Sequence, residues 1–222
     1  MIDWKNIKTV LVDMDGTLLD LYFDNYFWFE HLPMRYAEQN NISFEKALEY
    51  IKVEVNKVSG QIEWYCLDYW GAKLNLPIVK LKREIEHKIS FRPDALPFLD
   101  ALKAAGKEVV LVTNAHPDSL SLKVEKTALD THIDRLISTH QYGVTKESQT
   151  LWSKLQADLK FTNETTLFVD DSLVILDSAK TFGIKHLLAV ANPDSQQPVV
   201  NKDKLKHYPY ITDYRDIIAD IC

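Results

Sequence analysis

Short apolar runs rich in β-branched residues alternate along the chain with longer segments in which apolar residues recur every three or four positions. Five of the runs predict strands: Thr9–Val12, Glu108–Val112, Arg135–Ser138, Thr166–Val169 and His186–Val190. The segments after the second strand carry helical period. "DALPFLDALKAAGK" puts Leu96, Leu99, Leu102 and Ala105 near one face and stops at Gly106. "SLSLKVEKTALD" and "SQTLWSKLQADL" behave alike, and "DSLVILDSAKTFG" opens on Ser172 as a cap and closes at Gly183. Strands alternating with helices imply an α/β fold, a Rossmann-like parallel sheet covered on both faces. Such sheets bind ligands at the carboxyl ends of their strands.

The stretch from residue 21 to 89 breaks this rhythm. It carries helical period and many aromatics but no convincing strand. "SFEKALEYIKVEVNKV" offers Ser43 as a cap and Phe44, Leu48, Ile51 and Val55 as one stripe, and "IEWYCLDYWGAKL" and "IVKLKREIEHKI" predict two further helices. The expected organisation is therefore a discontinuous α/β core, 1–20 and 90–222, with a small helical cap at 21–89 inserted after the first strand. "NPDSQQPVVNKDKLKHYP" reads as a loop.

Composition narrows the choices. Hydrophobic residues make up 46% of the 222 and charged residues 26%, ordinary for a globular protein, and no apolar run is long enough to span a membrane. The net charge of -6, with no Lys/Arg block, argues against a nucleic-acid partner. An anionic protein that handles anionic substrates needs local positive charge, a metal included. The two cysteines, Cys66 and Cys222, are far apart and show no metal spacing, so a reducing, cytoplasmic setting is expected. The N-terminus has no signal-peptide character.

The candidate chemistry sits where strands end. In "KTVLVDMDGTLLD", Asp13 and Asp15 follow a buried strand two positions apart, which in an extended segment aims both side chains the same way. At ~4 Å and an effective dielectric of ~20, two such charges repel by about 4 kcal/mol, so a cation or a proton must offset them. Thr113 and Asn114 follow "EVVLV", where a hydroxyl and a free main-chain N–H can hold a phosphate oxygen. Lys146 precedes a helix and can act as a point charge on phosphate. Asp170 and Asp171 end "TLFV", and two buried acids there suit a hard cation such as Mg²⁺. In a parallel sheet all of these ends share one rim. Asp177, further along the last helix, reads as structural.

"DMDGT" resembles the nucleophile motif of the haloacid dehalogenase-like hydrolases, most of which are Mg²⁺-dependent phosphatases, and Thr113, Lys146 and "VDDS" resemble that family's three later motifs in order. The resemblance implies Asp13 as nucleophile and Asp15 as general acid and base. It implies Thr113, Asn114 and Lys146 on the phosphate, and Mg²⁺ held by Asp13, the Asp15 main-chain carbonyl, Asp170 and Asp171. An acid at position 15 favours phosphoryl transfer over dehalogenation. "DMDGTLLDLYFDNYFW", "WYCLDYW", "LVTNAHPDSL", "LFVDDS" and "NPDS" together resemble the bacterial GMP/IMP nucleotidases along nearly the whole chain. The departures are "YGVTK", where a proline before the lysine is expected, and the stretch 196–206.

The expectation is thus an enzyme that hydrolyses purine nucleoside 5′-monophosphates through an aspartyl-phosphate, acting on a small-molecule phosphate ester as a monomer or weak homodimer. A phosphatase for small sugar phosphates or phosphoglycolate is the alternative. A phosphomutase and a non-catalytic phosphate-binding regulator rank behind it. Asn25, Asp68 and His116 are polar candidates for base contacts. Most of the aromatics between residues 22 and 70 are expected to form a helical core, with an unknown few turned to the site.

Overall fold

The computed structural model describes residues 2–205 and 207–221; Cys222 lies outside them. Six parallel strands form one sheet: β1 (Thr9–Val12), β2 (Glu108–Thr113), β3 (Arg135–Ser138), β4 (Thr166–Asp170), β5 (His186–Val190) and β6 (Tyr210–Ile211), in the order β3-β2-β1-β4-β5-β6. The α/β, Rossmann-like expectation holds. The chain reverses its direction of travel across the sheet between β1 and β4, and the crevice at that switch point is where such sheets take ligands. Val12 stands beside Leu111 on one side and Val169 on the other, so the residues that follow these strands emerge together.

Period-two alternation divides the strand side chains between two cores. Val10, Val12, Leu111 and Val169 pack with Phe98 and Leu102 of helix α7 (Ala95–Ala104), and with Tyr214. Leu11, Val112 and Phe168 face the other way. They meet Trp152 and Leu155 of α9 (Gln149–Leu159) and Leu176 and Ala179 of α10 (Leu173–Phe182). Helix α8 (Pro117–Thr127) follows β2, and a final turn, α11 (Arg215–Ile218), follows β6. β6 was not foreseen: two residues are too few for a periodic signal. The described residues between β5 and β6 are loop apart from a 3₁₀ turn at Lys202–Leu205, as the composition suggested.

Between β1 and β2 lie α1 (Tyr22–Tyr26), α2 (Leu32–Asn40), α3 (Phe44–Lys57), α4 (Ile62–Tyr65), α5 (Leu67–Leu74) and α6 (Ile78–Glu84), with a π-helical segment, Phe27–His31, joining the first two. They share a third core of Phe23, Phe27, Ile51, Leu67, Trp70 and Leu81, into which Leu122 of α8 also packs. Ser43 caps α3 by accepting from the Lys46 N–H. Glu54 joins Ile51 on the buried face of that helix because Lys57 and Lys73 meet it at 2.6 and 2.7 Å. No helix among the described residues is long and apolar enough to cross a membrane.

Trp152 ties the second core to the rim. Its ring meets Phe168 edge-on, and its Nε1 donates to the Lys146 carbonyl and to Ser178 Oγ. Trp152→Ala should lower unfolding free energy in urea by about 3–5 kcal/mol. Trp152→Phe keeps most of the packing but strands the Lys146 carbonyl, and should cost about 1–3 kcal/mol.

Candidate active site

Asp13 leaves β1 with its N–H bonded to the Val169 carbonyl, which fixes it beside the end of β4. Asp170 is the last residue of that strand, and Asp171 follows. One carboxylate oxygen from each of Asp13, Asp170 and Asp171 lies within 4.8 Å of the others. Lys146 is buried between them, its Nζ donating to Asp13 Oδ1 at 2.5 Å and to Asp170 Oδ2 at 2.7 Å. Asp170 Oδ1 accepts from the Ser172 N–H, so Asp170 rather than the Ser172 side chain serves the start of α10.

Asn114 sets Lys146 in place. Its Oδ1 accepts from the Lys146 N–H and the Thr139 hydroxyl, and its Nδ2 donates to Glu147. Thr113 ends β2, buried, its Oγ1 accepting from the Ala115 N–H. Gly16 allows the close approach that the carboxylates need. It has φ +86°, and a Cβ there would sit 2.8 Å from the Asp171 carboxylate. The structure therefore gathers Asp13, Asp15, Thr113, Asn114, Lys146, Asp170 and Asp171 on the walls of one cavity of about 700 Å³.

Asp13 and Asp15 do not share a counter-charge. Asp15 Oδ1 receives a 2.6 Å hydrogen bond from Lys123 of α8, whose Nζ also reaches Asp24 Oδ2 at 2.6 Å. Asp24, on α1, takes a second ammonium, Lys82 of α6, at 2.8 Å. This chain of charges links the strand rim to the helices between β1 and β2. Sequence reasoning missed Asp24, Lys82 and Lys123, since both lysines sit in ordinary helical charge patterns. Their burial is the signal, and burial depends on contacts 58 to 108 residues apart in the chain.

Burial pushes the Asp13 carboxyl up to about 6 against the pull of Lys146, and pushes Asp15 up to about 7 against Lys123. It raises Asp170 and, more strongly, Asp171. Burial opposes the charge on Lys146, but the two carboxylates win and hold its pKa above the usual lysine range. At Asp24 burial is outweighed by Lys123 and Lys82, which keep it well below the carboxylate range.

The aromatic side chains divide. Phe23, Phe27 and Trp70 are core, whereas Trp28, Phe29, Trp64 and Tyr65 line the cavity that holds the carboxylates. Asn25 and His116 line it too, but Asn25 Nδ2 is engaged by Asp194 at 2.6 Å. Asp68 is exposed, 3.6 Å from His116. Asp177 accepts from the Tyr208 hydroxyl, a structural bond.

The sequence profile of the haloacid dehalogenase-like hydrolases matches residues 7–183. The chain belongs to that family. It is 44% identical over 220 residues to the GMP/IMP nucleotidase YrfG of Escherichia coli (strain K12), covering 99% of this chain and 98% of the relative, and equally so to the protein of that name from Shigella flexneri. Among solved structures, a HAD phosphatase from Thermococcus onnurineus superposes with TM-score 0.77 at 20% identity, covering 97% of this chain and 98% of that one, which shows a shared fold. The carboxylate cluster fits a hard divalent cation: its donors are oxygens, they converge, and Lys146 takes up one oxygen each of Asp13 and Asp170.

With four carboxyls of this cavity held above their ordinary range, the folded chain binds more protons than the unfolded one between 3.8 and about 7. Metal-free stability should therefore be fully present at the acid end of that window and lost as pH rises through it. The stabilising effect of Asp24 fades only below 3.8. Urea unfolding in EDTA should show a lower midpoint at about pH 7.5 than at about pH 4.5, a smaller difference in Asp171→Asn, and recovery at the higher pH on adding a divalent cation.

Proposed function

We propose that the protein is a Mg²⁺-dependent 5′-nucleotidase that releases phosphate from purine nucleoside 5′-monophosphates, GMP and IMP foremost. One observation carries this reading. A single cavity joins Asp13, Lys146, Asp170 and Asp171 to the rings of Trp28, Trp64 and Tyr65. The charged end suits a phosphate, and aromatic faces suit a flat base, because every base has a π-face on which such rings stack. Similarity to nucleotidases over almost the full length supports the same substrate class. The helices at 21–89 then act as a cap that excludes bulk water from the reacting phosphate.

In this reading Asp13 attacks phosphorus in line, its carboxylate oxygen forming a bond as the bond to the nucleoside 5′-oxygen breaks. The product is an aspartyl-phosphate on Asp13. Asp15 gives its proton to the departing oxygen and then takes one from the water that hydrolyses the aspartyl-phosphate. A carboxyl pushed up to about 7 suits both roles near neutral pH. Lys146, the Thr113 hydroxyl and the main chain at Asn114 hold the phosphoryl oxygens, while the Asn114 side chain keeps Lys146 aimed. Asp13, Asp170 and Asp171, with the Asp15 main-chain carbonyl, would hold Mg²⁺. Once bound, that ion supplies charge neutralisation between the carboxylate and the phosphoryl group. Low cysteine usage fits work in the cytoplasm.

A panel of phosphorylated metabolites at matched concentration tests the substrate class. GMP and IMP should give the highest kcat/KM, and a sugar phosphate or phosphoglycolate ahead of them would refute it. Asp13→Asn should lose phosphate release by at least about 10³-fold while keeping the native circular dichroism. EDTA should abolish turnover of the parent protein and Mg²⁺ restore it.

A further inference from the structure

Beside His116, which lines the cavity, three softer donors converge that the reaction does not use. Cys66 is the N-cap of α5, and its Sγ accepts from the Tyr69 N–H at 3.5 Å. His116 is the N-cap of α8. His140 lies in the 3₁₀ turn Thr139–Tyr142 after β3. One ligating atom of each lies within 4.8 Å of the other two. The imidazole rings meet edge-on with centroids 5.1 Å apart.

His140 is the informative member. Its Nε2 is buried and has no hydrogen-bond partner among the described residues, an uncommon state for a buried ring nitrogen. The Asn114 main chain acts on the ring in the sense that favours a proton, and since Nε2 has no partner that contact falls to Nδ1, which leaves Nε2 free to present a lone pair. A histidine oriented through one nitrogen by a main-chain oxygen, with the other left free, is how proteins present imidazole to a metal. Burial and the neighbouring His116 push the His140 pKa below the usual histidine value.

We propose that Cys66, His116 and His140 form a binding site for a soft divalent transition metal, best matched by Zn²⁺, with the Asp68 carboxylate or a water as fourth ligand. One thiolate and two imidazoles are a zinc donor set. In a tetrahedral zinc site the donor atoms stand roughly 3.3–3.7 Å apart, so the present spacing closes onto an ion with shifts on the order of 1 Å. Asp68 Oδ2 is 3.6 Å from His116 Nε2, within reach of the remaining position. The site is separate in kind from the oxygen cluster of Asp13, Asp170 and Asp171, which selects a hard cation. Cys66 belongs to the inserted helices, whereas His116 and His140 follow β2 and β3. A bound ion therefore ties α5 to the strand rim.

Co²⁺ serves as a coloured stand-in for Zn²⁺ in the full-length Cys222→Ser protein, where Cys66 is the sole thiol. One equivalent should produce tetrahedral d–d bands and a thiolate-to-cobalt charge-transfer band, both displaced by Zn²⁺ and neither by excess Mg²⁺. With excess Mg²⁺ present to fill the oxygen cluster, Zn²⁺ should also raise the Tm of this protein. Adding Cys66→Ser should abolish the charge-transfer band and the Tm shift. His140→Gln, checked for native circular dichroism, should weaken binding at least about 10-fold, as losing one ligand does. No charge-transfer band in the parent, a band that survives Cys66→Ser, displacement by Mg²⁺, or unchanged binding in folded His140→Gln would each overturn the proposal. None of these readouts involves turnover, so they stand apart from the nucleotidase assay.

Discussion

The architecture depends on a problem in electrostatics: four carboxyls must lie together at the edge of a buried sheet. Lys146 is the central answer. By bridging Asp13 and Asp170 it converts a repulsive cluster into a tolerable one, and the fold is arranged to keep it there. Asn114 holds its main-chain N–H, Trp152 holds its carbonyl, and Gly16 leaves room for Asp171. Removing one partner from such a buried set leaves an uncompensated charge, typically at a cost of about 3–5 kcal/mol. The compensation is incomplete, as the raised carboxyls record, and the remaining charge deficit is what a hard cation would fill.

Much of this was legible in the residues themselves. The short apolar runs Thr9–Val12 and Thr166–Val169 announce buried parallel strands, and an acid directly after such a strand is conspicuous because desolvating it is costly. Lys146 was harder. Alone it reads as a solvated surface residue, and only its place between the third and fourth strands pointed inward. Ser43 and Gly183 marked helix ends correctly.

What stayed hidden depends on tertiary contact. Lys82 lies in "IVKLKREIEHKI" and Lys123 in "SLSLKVEKTALD", where each looks like part of a wet helical face. Both are buried only because α6 and α8 pack on either side of Asp24. The same limit applies to the rings. Trp70 fills the core of the inserted helices and Trp64 borders the cavity, yet both come from one short aromatic run. Composition supplies the rings, and only packing decides which face outward. β6 was missed for the opposite reason: its two residues are held by pairing with β5 rather than by any pattern of their own.

The Asp15–Lys123–Asp24–Lys82 chain also constrains how such a sequence can drift. Replacing Asp24 by a neutral residue strands the Lys82 ammonium, and replacing Lys123 strands the Asp15 carboxylate, so each of these single steps passes through a poorly folding intermediate. Their effects must be strongly non-additive. The three positions outside the rim are thus energetically coupled to Asp15 and to one another, although the four members sit on separate segments of the chain.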